Sequence, residues 1–200
     1  MARIIVMGAG VGGMPAAYDL KKSLGKQHEV VLIGTSEHFQ FTPSNPWVTV
    51  GWRKPDQVLV PIRPNVERKG IRFIAEPVAR IEADQNTVHL ADGESLEYDY
   101  LVIATGPKLA FDEIPGLGPD ANTHSVCTTP HAEAAGEAYE KFLKNPGPMV
   151  IGAVQGASCF GPAYEFAMIV DTDLRKRKLR DRVPITFVTS EPYIGHMGLG

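Results

Sequence analysis

Residues 4–13 read Ile-Ile-Val-Met-Gly-Ala-Gly-Val-Gly-Gly, an apolar run that passes without a spacer into Gly8-x-Gly10-x-x-Gly13. The run has the composition of a buried strand, and Met14, Ala17, Tyr18 and Leu20 to Leu24 continue at helical spacing to Gly25. Val30 to Ile33 reads as a second strand, so the opening of the chain spells β–turn–α–β. In that setting each glycine has a separate task. Gly8 permits the tight turn, Gly10 lets backbone amides approach a pyrophosphate, and Gly13 lets the helix pack closely on the strand. The helix N-terminus adds the positive end of its dipole. Gly8, Ala9, Gly10, Val11, Gly12 and Gly13 are therefore the expected phosphate-binding turn.

Dinucleotide sites of this kind usually carry Asp or Glu at the end of the second strand to hold a ribose hydroxyl. Here that position reads Gly34-Thr35-Ser36, with Glu37 late. Ribose contacts are expected from the Gly34 and Thr35 backbone and from the Ser36 hydroxyl.

Further along, residues 39–64 turn aromatic and proline-rich, and prolines at 43, 46, 55, 61 and 64 exclude a regular helix through most of the stretch. Residues 71–74 make another short strand. Val78 to Ile81, Thr87 to Leu90 and Leu96 to Tyr98 alternate around an Asp92-Gly93 turn, the pattern of an antiparallel meander. Tyr100 to Ala104 is a buried strand closed by Thr105-Gly106-Pro107. A domain boundary is placed near residue 112, giving a dinucleotide-binding domain over 1–112 and an incomplete second one over 113–200. In the latter, Thr129 caps a helix to about Leu143, a strand runs to Ala153, a helix starts at Pro162, and Ile185 to Thr189 is the last strand. The fold class is α/β: a Rossmann-like domain with an inserted meander, then the start of a second Rossmann-like domain.

Composition narrows the function. With 20 basic and 23 acidic residues, net charge −3, no global field attracts nucleic acid. No run reaches the ~18 apolar residues of a spanning helix, and the apolar N-terminal run is too short for a secretory signal. Two cysteines are too few for a disulfide framework, a structural zinc site or an iron–sulfur cluster. No metal is expected, and any role for the cysteines lies in thiol chemistry. Cys159 stands in a glycine-flanked loop just before a helix, where amide dipoles favour the reactive thiolate. Cys127 stands similarly before Thr129-Pro130.

A meander ending in Tyr98-Asp99-Tyr100-Leu101-Val102-Ile103-Ala104-Thr105-Gly106 resembles the Ala-Thr-Gly segment of FAD enzymes with two dinucleotide-binding domains. Within that group the chain resembles sulfide:quinone oxidoreductase and the flavoprotein subunit of flavocytochrome c sulfide dehydrogenase. The residues carrying the likeness are Gly8 to Ala16, Phe41 to Gly51, Ala104 to Phe111, Gly152 to Met168 and Ser190 to His196. The resemblance implies FAD as cofactor and adds Pro43, Val78, Thr105 and Gly106 to its contacts. It also implies a redox-active, persulfide-bearing cysteine at Cys159, a secondary role for Cys127, and proton transfer by His131, Glu165 and His196. Such enzymes are about twice this length, so the chain is expected to be an N-terminal portion, with the partner cysteine downstream. Sulfide and quinone are the implied substrates. Peripheral membrane association is implied too, with an otherwise cytoplasmic location, and a homo-oligomer is left open.

Two negative signals sharpen the reading. Residues 39–51 hold no CxxxxC pair of the glutathione-reductase kind. The second strand–loop–helix spaces its glycines at 152, 156 and 161, which is not GxGxxG, so NADH is not the expected electron source. The alternatives are an NADH-dependent flavin reductase of the type II NADH dehydrogenase kind, or a flavoprotein subunit donating to a cytochrome. The basic run Arg175 to Arg180 reads as a solvated helix end, and Trp47 and Trp52 as packing residues.

Overall fold

The computed structural model describes residues 1–196. In chain order the elements are β1 (Arg3–Met7), α1 (Gly13–Leu24), β2 (Glu29–Ile33), β3 (His38–Gln40), α2 (Asn45–Thr49), β4 (Leu59–Pro61), α3 (Arg63–Glu67) and β5 (Arg72–Ile74). They continue with β6 (Val78–Glu82), β7 (Thr87–Leu90), β8 (Ser95–Glu97), β9 (Tyr100–Ile103), α4 (Thr129–Lys144), β10 (Met149–Ala153), α5 (Gly161–Lys176) and β11 (Ile185–Thr189). The chain divides into two compact units: residues 1–40 with 59–110, and residues 41–58 with 111–200.

The first unit is built on a four-stranded sheet in the order β5-β2-β1-β9, with every neighbouring pair parallel. Parallel strands are covered on both faces, which is why β1 and β2 are near-continuous apolar runs. Alternation sorts their side chains. Val6, Val30 and Leu32 point to one face and pack with Ala17 of α1 and with Ile62, Val66, Ile71 and Phe73 around α3. Ile5, Val31 and Ile33 point to the other and pack with Val88, Leu90 and Leu96 of the meander. The meander is the antiparallel sheet β6-β7-β8. Each of these fully buried aliphatic side chains contributes roughly 1.5–3 kcal/mol relative to exposure.

The second unit holds the parallel pair β10–β11, joined through α5, with α4 and α2. Its core gathers Val50, Tyr139, Ile151, Ile169, Val170, Leu174 and Val183, with Trp47 and Trp52 packed against them. A buried polar centre lies among them. Asp173, 3% exposed, accepts hydrogen bonds from Trp52 Nε1 at 2.8 Å, Tyr139 OH at 2.9 Å and Arg177 Nε at 2.7 Å.

Four details depart from the sequence reading. Pro46 does not prevent α2, because it occupies the first turn, where proline's missing N–H costs nothing. That segment, residues 41–58, groups with the second unit, although the sequence reading put it in the first domain. α2 lies along α4: Thr49 Oγ1 donates to the Ala132 carbonyl at 3.1 Å, and Thr129 Oγ1 donates to Asn45 Oδ1 at 3.2 Å. The cap of α4 is Thr128, one residue earlier than expected, its side chain accepting from the His131 amide. Finally, the basic run is pinned and not merely solvated: Arg177 pairs with Asp173, and both Arg175 and Arg180 with Asp171.

Candidate active site

In the first unit the glycine turn is formed by close approach. Gly8 adopts φ +110°, and a Cβ there would overlap the Ala104 carbonyl and stand 2.9 Å from the Thr105 nitrogen. A Cβ on Gly13 would overlap the Gly8 carbonyl, so the start of α1 sits directly on the turn. These contacts bring Gly8 to Gly13 together with the end of β9, where Thr105 is exposed and Gly106 has φ +72°. Gly34 closes the other side; a Cβ on it would lie 2.8 Å from Ala9 Cβ.

The turn fits a dinucleotide pyrophosphate on three counts. Gly10 has nothing within 4 Å of where its Cβ would be, so an anion meets no side chain there. The amides of Gly10, Val11, Gly12 and Gly13 donate to no acceptor among the described residues, which leaves the positive end of the helix unsatisfied. No carboxylate lies in the turn itself. The residues expected to meet a ribose follow β2 directly. Thr35 and Ser36 are exposed, and Ser36 Oγ accepts from the His38 amide at 3.1 Å. Glu37 is engaged elsewhere, its carboxylate 2.6 Å from Arg63. Val78 opens β6, pairs with Leu90 and packs on the sheet face that Ile5, Val31 and Ile33 present.

The thiol candidates and their companions belong to the second unit. Pro43 lies in a 3₁₀ turn leading into α2. Cys127 is exposed, directly before the Thr128 cap, and its amide donates to Ser125 Oγ at 3.1 Å. His131 follows in the first turn of α4, its ring tilted on Phe111 at 5.7 Å between centroids. Its Nδ1 is buried without a hydrogen-bond partner among the described residues.

Cys159 is exposed in the loop 154–160 between β10 and α5, two residues before the helix begins. Gly152 lies inside β10, where a Cβ would overlap the Val188 carbonyl of β11. Glu165, one turn into α5, lines a shallow apolar groove of about 510 Å³ with Trp47, Trp52, Tyr164, Met168 and Ile169. His196 ends the described chain, its ring edge-on to Tyr193 at 5.1 Å. Sequence reasoning missed the polar pairings of this unit: those of Asp173, Thr49 and Asn45, and the Tyr164–Glu191 pair. Only the Asp173–Arg177 spacing of four residues could have been read as a helical ion pair.

Comparison with known proteins identifies the family. The pyridine nucleotide-disulphide oxidoreductase family matches residues 2–164. The sulfide-quinone reductase of Aquifex aeolicus is 46% identical over 197 residues, covering 98% of this chain and 45% of that protein. The mitochondrial sulfide:quinone oxidoreductase of Mus musculus is 30% identical, covering 94% of this chain and 42% of its own length. The crystal structure of the Aquifex aeolicus enzyme superposes with a TM-score of 0.93 at 45% identity, over all of this chain and 46% of that one. NDH2 of Plasmodium falciparum, at 19% identity and a TM-score of 0.69, shares the fold. The chain thus spans under half the length of these sulfide:quinone relatives. Family and relatives together imply a flavin cofactor. The chain belongs to the pyridine nucleotide-disulphide oxidoreductase family, and within it is similar to the sulfide:quinone oxidoreductases.

Proposed function

We propose that the protein to which this chain belongs oxidises sulfide and passes the electrons to a quinone, with FAD held at the Gly8–Gly13 turn and sulfur captured at Cys159. The observation that carries the reading is the loop after β10. Where a second dinucleotide turn would present glycines to a phosphate, residues 154–160 present an exposed cysteine. The similarity to a sulfide-quinone reductase runs through that loop.

FAD, when bound, accepts an electron pair from the sulfur chemistry and releases it to the quinone. The chain's own residues bind, orient and handle protons. The amides of residues 10–13 and the α1 N-terminus hold the pyrophosphate, while Gly34 to Ser36 meet the ribose and Thr105-Gly106 closes the turn. A Cys159 thiolate and hydrosulfide become a persulfide anion with loss of one proton and two electrons. His131, Glu165 and His196 are the candidates to take that proton. A quinone acceptor places the protein at a membrane surface. Among the described residues no helix is long and apolar enough to cross one.

Stopped-flow absorbance of the visible flavin band, with sulfide and NADH as competing reductants, tests the proposal. Sulfide should bleach the band and NADH should not, and Cys159→Ser should slow the sulfide reaction by at least ~100-fold, the scale of a lost nucleophile. Bleaching by NADH alone would favour the NADH-dependent alternative. A Cys159→Ser protein reduced by sulfide at the full rate would remove Cys159 from the mechanism.

A further inference from the structure

One side chain ties the turn before His196 to the first turn of α5, which follows the Cys159 loop. Tyr164 lies in the first turn of α5, just after the Cys159 loop, with its ring against Phe187 of β11 at 4.4 Å. Its hydroxyl donates to Glu191 Oε2 at 2.6 Å and accepts from the Gly195 amide at 2.9 Å. The same Glu191 oxygen accepts from Thr189 Oγ1 at 2.7 Å. Gly195 immediately precedes His196, whose amide donates to the Tyr193 carbonyl at 3.3 Å. The segment bearing His196 is therefore closed on itself and fastened to α5 through one phenol oxygen. A second tie runs alongside: Ser190 Oγ donates to the Val154 carbonyl at 3.4 Å, where the Cys159 loop leaves β10.

We infer that Tyr164 is a positioning residue, which fixes the His196 turn against the start of α5 so that His196 serves Cys159. The inference rests on the proposed roles of His196 and Cys159. A phenol suits the task because it must donate to a carboxylate and accept from an amide at once. Burial, and then the bond to Glu191, raise its pKa, so the proton it donates stays in place through the neutral range. Glu191 bonds the phenol, Glu165 is its neighbour on α5, and Tyr193 stands against the His196 ring.

Tyr164→Phe retains the ring and its packing on Phe187 and deletes both bonds, so the protein is expected to fold. Two readouts are made on it in a Cys127→Ser background. Amide exchange at Gly195 should speed up at least ~10-fold as its bond is lost, the response of a locally opened segment. The pH profile of Cys159 alkylation by iodoacetamide should shift in the same direction as in His196→Ala, a response that lost packing alone would not produce. Unchanged exchange at Gly195 overturns the positioning role. A profile that moves in His196→Ala but not in Tyr164→Phe overturns it as well. If His196→Ala itself leaves the profile unmoved while exchange at Gly195 rises, the underlying reading of His196 falls, and the inference with it. Glu191→Gln, which still accepts from the phenol, should retain most of the protection at Gly195.

Discussion

Asparagine at position 173 tests the polar centre of the second unit directly. Asp173 is 3% exposed and is surrounded by three donors, Trp52 Nε1, Tyr139 OH and Arg177 Nε, at 2.7–2.9 Å. An amide of the same shape keeps one acceptor oxygen and presents an NH₂ where the other was. Turned one way it leaves the Trp52 N–H facing a donor, and turned the other way it leaves Arg177 so. Removing one partner of a buried ion pair costs about 3–5 kcal/mol. The Arg177 side chain is 37% exposed, so water recovers part of its loss, and the expected cost settles near ~3 kcal/mol. At roughly 2–4 °C per kcal/mol for a chain of this size, the melting temperature should fall by about 6–12 °C. Both tryptophans of the sequence lie in the second unit, so urea unfolding followed by tryptophan fluorescence reports on the unit that is perturbed. Combining Asp173→Asn with Tyr139→Phe should give a loss smaller than the sum of the two, because they share a bond. A loss under ~1 kcal/mol, or strict additivity with Tyr139→Phe, would refute the reasoning, since a desolvated three-donor carboxylate cannot be that cheap to remove.

Two further outcomes follow from the glycine turn and from Tyr139. Gly10→Ala should leave thermal stability nearly unchanged but weaken flavin retention, because its Cβ meets no protein atom and enters the space proposed for the pyrophosphate. Gly13→Ala should lower both, by about 1–3 kcal/mol or more in stability, because its Cβ meets the Gly8 carbonyl. Flavin absorbance after gel filtration and a circular-dichroism melt separate the two, and equal behaviour would contradict the cradle. Burial, and then the hydrogen bond to Asp173, push the Tyr139 phenol well above its ordinary value. The neutral form is favoured in the fold, so its contribution is complete below about pH 10 and is lost as pH rises beyond that. Ultraviolet titration should find a tyrosine that ionises only with unfolding and is missing in Tyr139→Phe; an identical titration of the two proteins would count against it.

How far the sequence reaches depends on whether a feature is local. The β1–turn–α1–β2 unit was legible because its information lies in consecutive residues: an apolar run, glycines that alone tolerate the approach, and a helical repeat. The meander was legible for the same reason, through alternation around Asp92-Gly93. The cap of α4 was displaced by one residue because Thr128 and Thr129 offer the same hydroxyl. Only the backbone, extended at Thr128 with φ −132° and ψ 159°, distinguishes them. Residues 41–58 were read as an irregular part of the first domain. Their order comes from partners such as Ala132 and Asp173, which no local pattern announces. Among the candidate residues, Cys159 was proposed from its glycine-flanked loop ahead of a helix, where it is exposed. Tyr164 was not, since its role depends on Glu191 and Gly195, which sequence places 27 and 31 residues away.

The path of the chain through its two units also sets a timetable. It leaves the first unit at Phe41, returns at Leu59 and leaves again after Ala110. Trp52 must therefore wait for a hydrogen-bond partner 121 residues further on. At roughly 5–20 residues per second, a ribosome needs about 6–24 s to supply it. Through that interval Trp47, Val48, Val50 and Trp52 stand outside any finished core, while β1, β2 and α1 already have partners to fold upon. This nascent stretch is where a chaperone that grips aromatic, proline-rich segments would find its hold.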